Sequence, residues 1–241
     1  PVGGGLNALD PSRVFYTRSN ADRLIAPLRV RVTGVNGVPA SGVAAVSLNV
    51  TVDSPTDVGY VTVWPCASAQ PDASNLNFVA GQTVPNAVIA PVDANGEVCF
   101  SSSTPTHLIA DVNGWFATGS GFGPVVPSRL FDTRSGVGSV PATKVRPDAP
   151  LRLRVTGKGG VPAAGVSAVS LNVTATEPDG QGYVTVWPCA QAQPDASNLN
   201  FVAGRTAANA VIAPVDANGE VCFYTSEPSN LIADVNGWFA A

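Results

Sequence analysis

The strongest constraint on this chain is that it is written twice. Val61-Thr62-Val63-Trp64-Pro65-Cys66 recurs as Val184-Thr185-Val186-Trp187-Pro188-Cys189, and the same offset carries Cys99 onto Cys222 and Trp115 onto Trp238. Two copies of one unit therefore fill nearly the whole 241 residues, and what folds once must fold twice. Toward the front the offset shrinks: Pro11-Ser12-Arg13-Val14-Phe15 matches Pro127-Ser128-Arg129-Leu130-Phe131, because copy two carries a longer stretch around Val137 to Pro150. An insertion of that kind marks a surface connection. A Gly-rich connector, Thr118 to Pro124, separates the copies, so we expect domains at 1–120 and 121–241, the first led by the Gly-rich segment Pro1 to Leu6.

Each copy is patterned as strands. Leu28-Arg29-Val30-Arg31-Val32 and Leu151-Arg152-Leu153-Arg154-Val155 place aliphatics on one face and arginines on the other; Val46, Leu48, Val50 and Val52 alternate with Ser47, Asn49 and Thr51. Further strands are expected at Tyr60 to Trp64, Asn75 to Val79, Ala87 to Val92, Glu97 to Phe100 and Leu108 to Val112, with Asp93-Ala94-Asn95-Gly96 as a hairpin turn. About seven short strands per copy predict an all-β protein: two tandem antiparallel β-sandwich domains, immunoglobulin-like or jelly-roll-like.

The cysteines form one pair per copy, Cys66 with Cys99 and Cys189 with Cys222, at equal separation and without CxxC spacing or the histidines of a zinc site. One disulfide in each copy is expected, worth about 3 to 4 kcal/mol in the chain-entropy model. The alternative is a buried pair of free thiols. Disulfides imply an oxidising compartment, hence a secreted or cell-surface protein. Charged residues make up only 12% of the chain, the net charge is -4, and the only lysines are Lys144 and Lys158. Nucleic acid and anionic membranes are thereby disfavoured, since both demand clustered cations. No apolar run approaches membrane-spanning length and no cleavable signal is visible. A chain that opens at Pro1 and has no Met reads as a processed or excised segment.

Ser128-Arg-Leu-Phe-Asp-Thr-Arg134, Val155-Thr-Gly157, Gly160-Val-Pro162, Leu171-Asn-Val-Thr174, Ser197-Asn-Leu-Asn200 and Ile232-Ala-Asp-Val-Asn-Gly-Trp-Phe239 occur in that order. Together they resemble a repeat module common in secreted and surface proteins of actinobacteria. The resemblance implies a module appended to other extracellular domains or strung in arrays, with no established catalytic residues. Copy one departs from it at Tyr16, where copy two has Asp132.

A nucleophilic triad needs a base beside its serine or cysteine. The single histidine, His107, is Asn230 in copy two, and no GxSxG elbow is present. The duplicated acids Asp72/Asp195, Asp93/Asp216, Glu97/Glu220 and Asp111/Asp234 offer a glycosidase-like pair only in principle. Asp93 and Glu97 flank a turn, where Asp bonds the backbone; a calcium site from Asp93, Asn95 and Glu97 would fall short of the ligand count of an EF-hand. No enzymatic activity, cofactor or metal is expected. Asp111 and Asp234, among apolar neighbours, should be buried and paired: Arg18 with Asp111 and Arg134 with Asp234, as structural ion pairs. Asn49-Val-Thr51 and Asn172-Val-Thr174 fit the glycosylation sequon but lie in expected strands.

Two functions of different class follow. In the first, the protein is a non-catalytic extracellular attachment or assembly protein that binds cell-wall or environmental polysaccharide through each copy. Its candidate ligand-binding residues are Trp64, Asp72, Ser74 and Asn75 with their counterparts Trp187, Asp195, Ser197 and Asn198, centred on the repeated Pro71-Asp-Ala-Ser-Asn-Leu-Asn-Phe78. Packing against the disulfide is the competing explanation for Trp64 and Trp187. In the second, the chain is a structural subunit whose copies join head to tail in a fibre or repeat stalk, because a heterologous contact that does not close makes a filament. Neither reading involves nucleic acid or insertion into a membrane.

Overall fold

A computed structural model of the chain describes residues 5–18, 23–24 and 26–241. The fold is all-β and divides into two compact units, Pro1–Pro127 and Ser128–Ala241. Most of the leading Gly-rich segment, residues 1–4, lies outside the described residues.

In unit 1 the strands are β1 (Leu6–Tyr16), β2 (Leu28–Arg31), β3 (Val43–Asp53), β4 (Gly59–Pro65), β5 (Leu76–Phe78), β6 (Val84–Pro91), β7 (Glu97–Ser102) and β8 (His107–Ala117). They make two four-stranded sheets, ordered β1-β8-β3-β6 and β2-β7-β4-β5, with antiparallel neighbours. The second set is β9 (Phe122–Asp132), β10 (Leu151–Arg154), β11 (Val166–Thr176), β12 (Gly182–Pro188), β13 (Leu199–Phe201), β14 (Ala207–Pro214), β15 (Glu220–Thr225) and β16 (Asn230–Ala240). Its sheets run β9-β16-β11-β14 and β10-β15-β12-β13, the same order as the first.

Alternation along each strand decides what faces inward. Leu48, Val50 and Val52 of β3, Leu108, Ala110 and Val112 of β8, and Val61, Val63, Leu76, Phe78, Val98 and Phe100 of the opposite sheet join in one buried cluster. In unit 2 the corresponding Leu171, Val173, Ala175, Leu231, Ala233, Val235, Val184, Val186, Leu199, Phe201, Val221 and Phe223 are buried as well. Phe15 meets Phe100 edge-on at 4.9 Å, and Phe131 meets Phe223 at 4.9 Å. A residue whose neighbours on the strand point into this core must itself point out.

Both expected disulfides are present, Cys66–Cys99 and Cys189–Cys222. Each ties the end of one strand to its neighbour in the same sheet, since Trp64 pairs with Cys99 and Trp187 with Cys222. The expected hairpin at Asp93 is closed by its own carboxylate: Asp93 Oδ1 accepts from the amides of Asn95 and Glu97 at 2.8 and 2.9 Å, and Asp216 repeats this on Asn218 and Glu220 at 2.9 Å each. Gly96 takes φ of +78°, and a Cβ there would lie 1.8 Å from Thr33 Oγ1, so only glycine serves.

Candidate functional site

The ion pairs are built from different residues than the sequence suggested. Arg18 does not reach Asp111. Arg13 stands directly opposite Asp111 in the β1–β8 register and pairs with it, while Arg18, beyond the end of β1, bonds Asp53 Oδ2 at 2.7 Å. In unit 2, Arg129 Nε meets Asp234 Oδ1 at 2.8 Å, and Arg134 takes Asp132 at 2.6 Å instead of Asp234. The cause is the pleat. Ala110 and Val112 enter the core, so Asp111 between them faces outward, where the strand beside it offers Arg13. Asp111 keeps 26% of its side chain exposed, against 2% for Asp234.

Two of these carboxylates, Asp53 and Asp132, are held as anions. The Arg18 hydrogen bond, with those of Thr83 and Ser54, keeps the Asp53 carboxyl far below the usual range. For Asp132, burial pushes the carboxyl upward, and the side-chain and backbone bonds from Arg134 and the charge of Arg129 outweigh it, so the net direction is down. Glu97 and Glu220 pair with Arg29 and Arg152 at 2.5 and 2.6 Å. Asp216 and Glu220 lie beside Cys189, a grouping that resembles a metal cluster. Its sulfur is spent in the disulfide and Glu220 is spent on Arg152, so this donor set does not fit a metal.

Trp64 and Trp187 pack on the disulfides, and their indole N–H groups donate to Ser68 O at 3.2 Å and Gln191 O at 3.1 Å. Asn75 and Asn198 spend their side-chain oxygens on the amides of Val63 and Val186 at 2.7 and 2.8 Å. These four side chains therefore fix the loop that follows each Trp. Asp72, Asp195 and Ser197 are exposed, and Ser74 is buried. Ser197 Oγ donates to Asn200 Oδ1 at 2.9 Å, and Thr185 Oγ1 donates to Ala196 O at 2.5 Å, so the exposed loop of unit 2 is pinned from beneath. His107 Nδ1 lies 3.4 Å from Thr17 Oγ1, which itself accepts the Leu108 amide.

One feature of the surface was missed in the sequence. Tyr183 of β12 pairs with Asn200 of β13, and its ring lies 5.9 Å from that of Tyr224 on β15, inclined by 51°. Ser197, Asn200, Tyr183 and Tyr224 thus form one continuous half-exposed patch on the outer face of the disulfide-bearing sheet. The signal was present: Tyr183 precedes inward Val184 and Tyr224 follows inward Phe223. Only the register of β12 against β15 brings the rings together.

No family model matches the chain, and no curated protein does. Among solved structures, Sulfolobus Turreted Icosahedral Virus superimposes over 98% of this chain, which spans 60% of that one, at 8% identity and a TM-score of 0.31. The CBM22-1-CBM22-2 tandem domain of Paenibacillus barcinonensis Xyn10C superimposes over 98% of this chain and 94% of its own, at 13% identity and a TM-score of 0.26. At TM-scores this low, neither likeness bears on what this chain binds.

Proposed function

We propose that the protein is a non-catalytic extracellular attachment protein that recognises polysaccharide, a repeat module of the secreted type its motifs resemble. The observation that carries this reading is the loop Pro194 to Asn198. It is polar and exposed, yet Asn198, Thr185 and the neighbouring cystine hold its backbone in place. A loop ordered before its ligand arrives loses little entropy on binding. Of the duplicated acids, Asp93/Asp216, Glu97/Glu220 and Asp111/Asp234 are occupied in turns and ion pairs, which accords with binding and not with acid–base chemistry. Pull-down on insoluble polysaccharides and on peptidoglycan sacculi tests the reading. The wild type should sediment with at least one of them, and Asp195→Ala with Ser197→Ala should weaken it several-fold; a wild type that sediments with none removes the proposal.

A second reading, a subunit that stacks head to tail, draws on a separate observation. Asn49, Thr51 and Asp111 remain half open on the outer face of unit 1, whereas Asn172, Thr174 and Asp234 at the same places in unit 2 are buried. Electron microscopy of the purified chain decides it: filaments are expected on this reading, and uniform monomers would remove it.

A further inference from the structure

We propose that the outer face of β12, β13 and β15 is a saccharide subsite, with Tyr183 and Tyr224 as its apolar floor, Asn200 and Ser197 as its polar edge, and a neutral pyranose chain as its ligand. The inference rests on the polysaccharide reading above and gives it a place and a ligand class.

A pyranose ring presents an apolar face of C–H groups and a rim of hydroxyls. An aromatic ring covers the first, and fixed carboxamide and hydroxyl groups bond the second. At 5.9 Å and 51° the two tyrosine rings are not stacked face to face, so neither covers the other. Asn200 is paired across the sheet with Tyr183, and its carboxamide orientation is set by Ser197 Oγ at 2.9 Å. The Tyr224 phenol is held above its usual range, chiefly by burial, then by Tyr183, whose hydroxyl is hydrogen-bonded to it, and by the Glu227 charge. The nearby Glu227 charge disfavours an anionic sugar.

An aromatic pair on a sheet can also serve only to join strands. Unit 1 separates the two roles. The same strands pair there with Tyr60 opposite Asn77, and Ser101 stands opposite Thr62 where Tyr224 stands opposite Thr185. That sheet forms with one tyrosine, 42% exposed, so the second ring is not a requirement of the fold. Unit 2 carries a second ring, half-buried against the Trp187–Cys189–Cys222 cluster and beside the half-buried Tyr183, which widens the aromatic face that a ligand would meet.

Affinity electrophoresis in gels containing hydroxyethylcellulose, xylan or arabinogalactan tests this with the wild type, Tyr183→Ala, Tyr224→Ser and Ser101→Tyr. Tyr224→Ser copies unit 1 and should fold; circular dichroism melting confirms it. The wild type should be retarded by at least one polymer, Tyr224→Ser and Tyr183→Ala should lose about tenfold in affinity, and Ser101→Tyr should gain retardation. Equal retardation of wild type and both tyrosine variants overturns the subsite and leaves polysaccharide binding standing. Absence of retardation of the wild type by any of the polymers, together with failure to sediment with the insoluble ones, overturns both.

Discussion

Arg18 and Arg134 hold the same place in the two units, yet Arg18 bonds Asp53 at the end of β3 and Arg134 bonds Asp132 at the end of β9. The exchange is reciprocal. Where unit 2 has Asp132, unit 1 has Tyr16, and where unit 1 has Asp53, unit 2 has Thr176. The neighbours follow: Thr83 donates to Asp53 at 2.7 Å, while the corresponding Thr206 meets Thr176 hydroxyl to hydroxyl at 2.8 Å. Arg129 lies 3.5 Å from Asp132, while Arg13 lies over the Tyr16 ring at 5.8 Å. What duplication has kept is an anion beside the arginine, and the strand that supplies it is free to change. The two acids are alike electrostatically because either strand end can reach the same guanidinium.

The sharpest way to break this comparison is to remove the second arginine that flanks it, Arg129 in unit 2 and Arg13 in unit 1. Arg129→Ala leaves Asp234 buried without its guanidinium and removes one charge from Asp132, and should cost unit 2 about 4 kcal/mol in urea denaturation. Arg13→Ala, half exposed, should cost unit 1 under about 1 kcal/mol. Equal losses would show that the burial difference has no energetic meaning. Replacing Cys66 and Cys99 by serine, or Cys189 and Cys222, should cost about 3 to 4 kcal/mol in either unit, because both close the same loop of the chain. Unequal losses would locate strain in one copy.

The exchange itself can be tested by transplanting it. Asp132→Tyr should destabilise unit 2 by about 2 kcal/mol, and adding Thr176→Asp should recover roughly half, a coupling typical of residues around one shared partner. An additive double mutant would mean that the two carboxylates do not serve the same arginine site. The smallest effect is in pH. Asp53 and Asp132 have folded values below their unfolded ones, so each contributes stability that is complete above about pH 5 and is lost as pH falls through the unfolded value toward the folded one. Denaturant midpoints should therefore drop between pH 5 and pH 2, and Asp53→Asn should flatten that slope in unit 1; an unchanged slope would argue against the Asp53 contribution.

The sequence by itself determined the duplication, the alternation of the strands, both disulfides and the hairpin turn at Asp93. These are local or repeated signals, and period-two burial makes each strand's inward set readable without its partners. It named one member of each of four ion pairs, Arg18, Asp111, Arg134 and Asp234, and missed the partner every time, because a partner across a sheet is set by register and pleat and not by proximity to a motif. Asn75 and Asn198, chosen as ligand-binding groups, are consumed by backbone amides that lie twelve positions earlier in the chain. Tyr183, Asn200 and Tyr224 come from three strands and meet only when those strands pair in one register. Tertiary structure decided that patch, since side chains far apart in the chain become neighbours only through the hydrogen-bonded ladder between them.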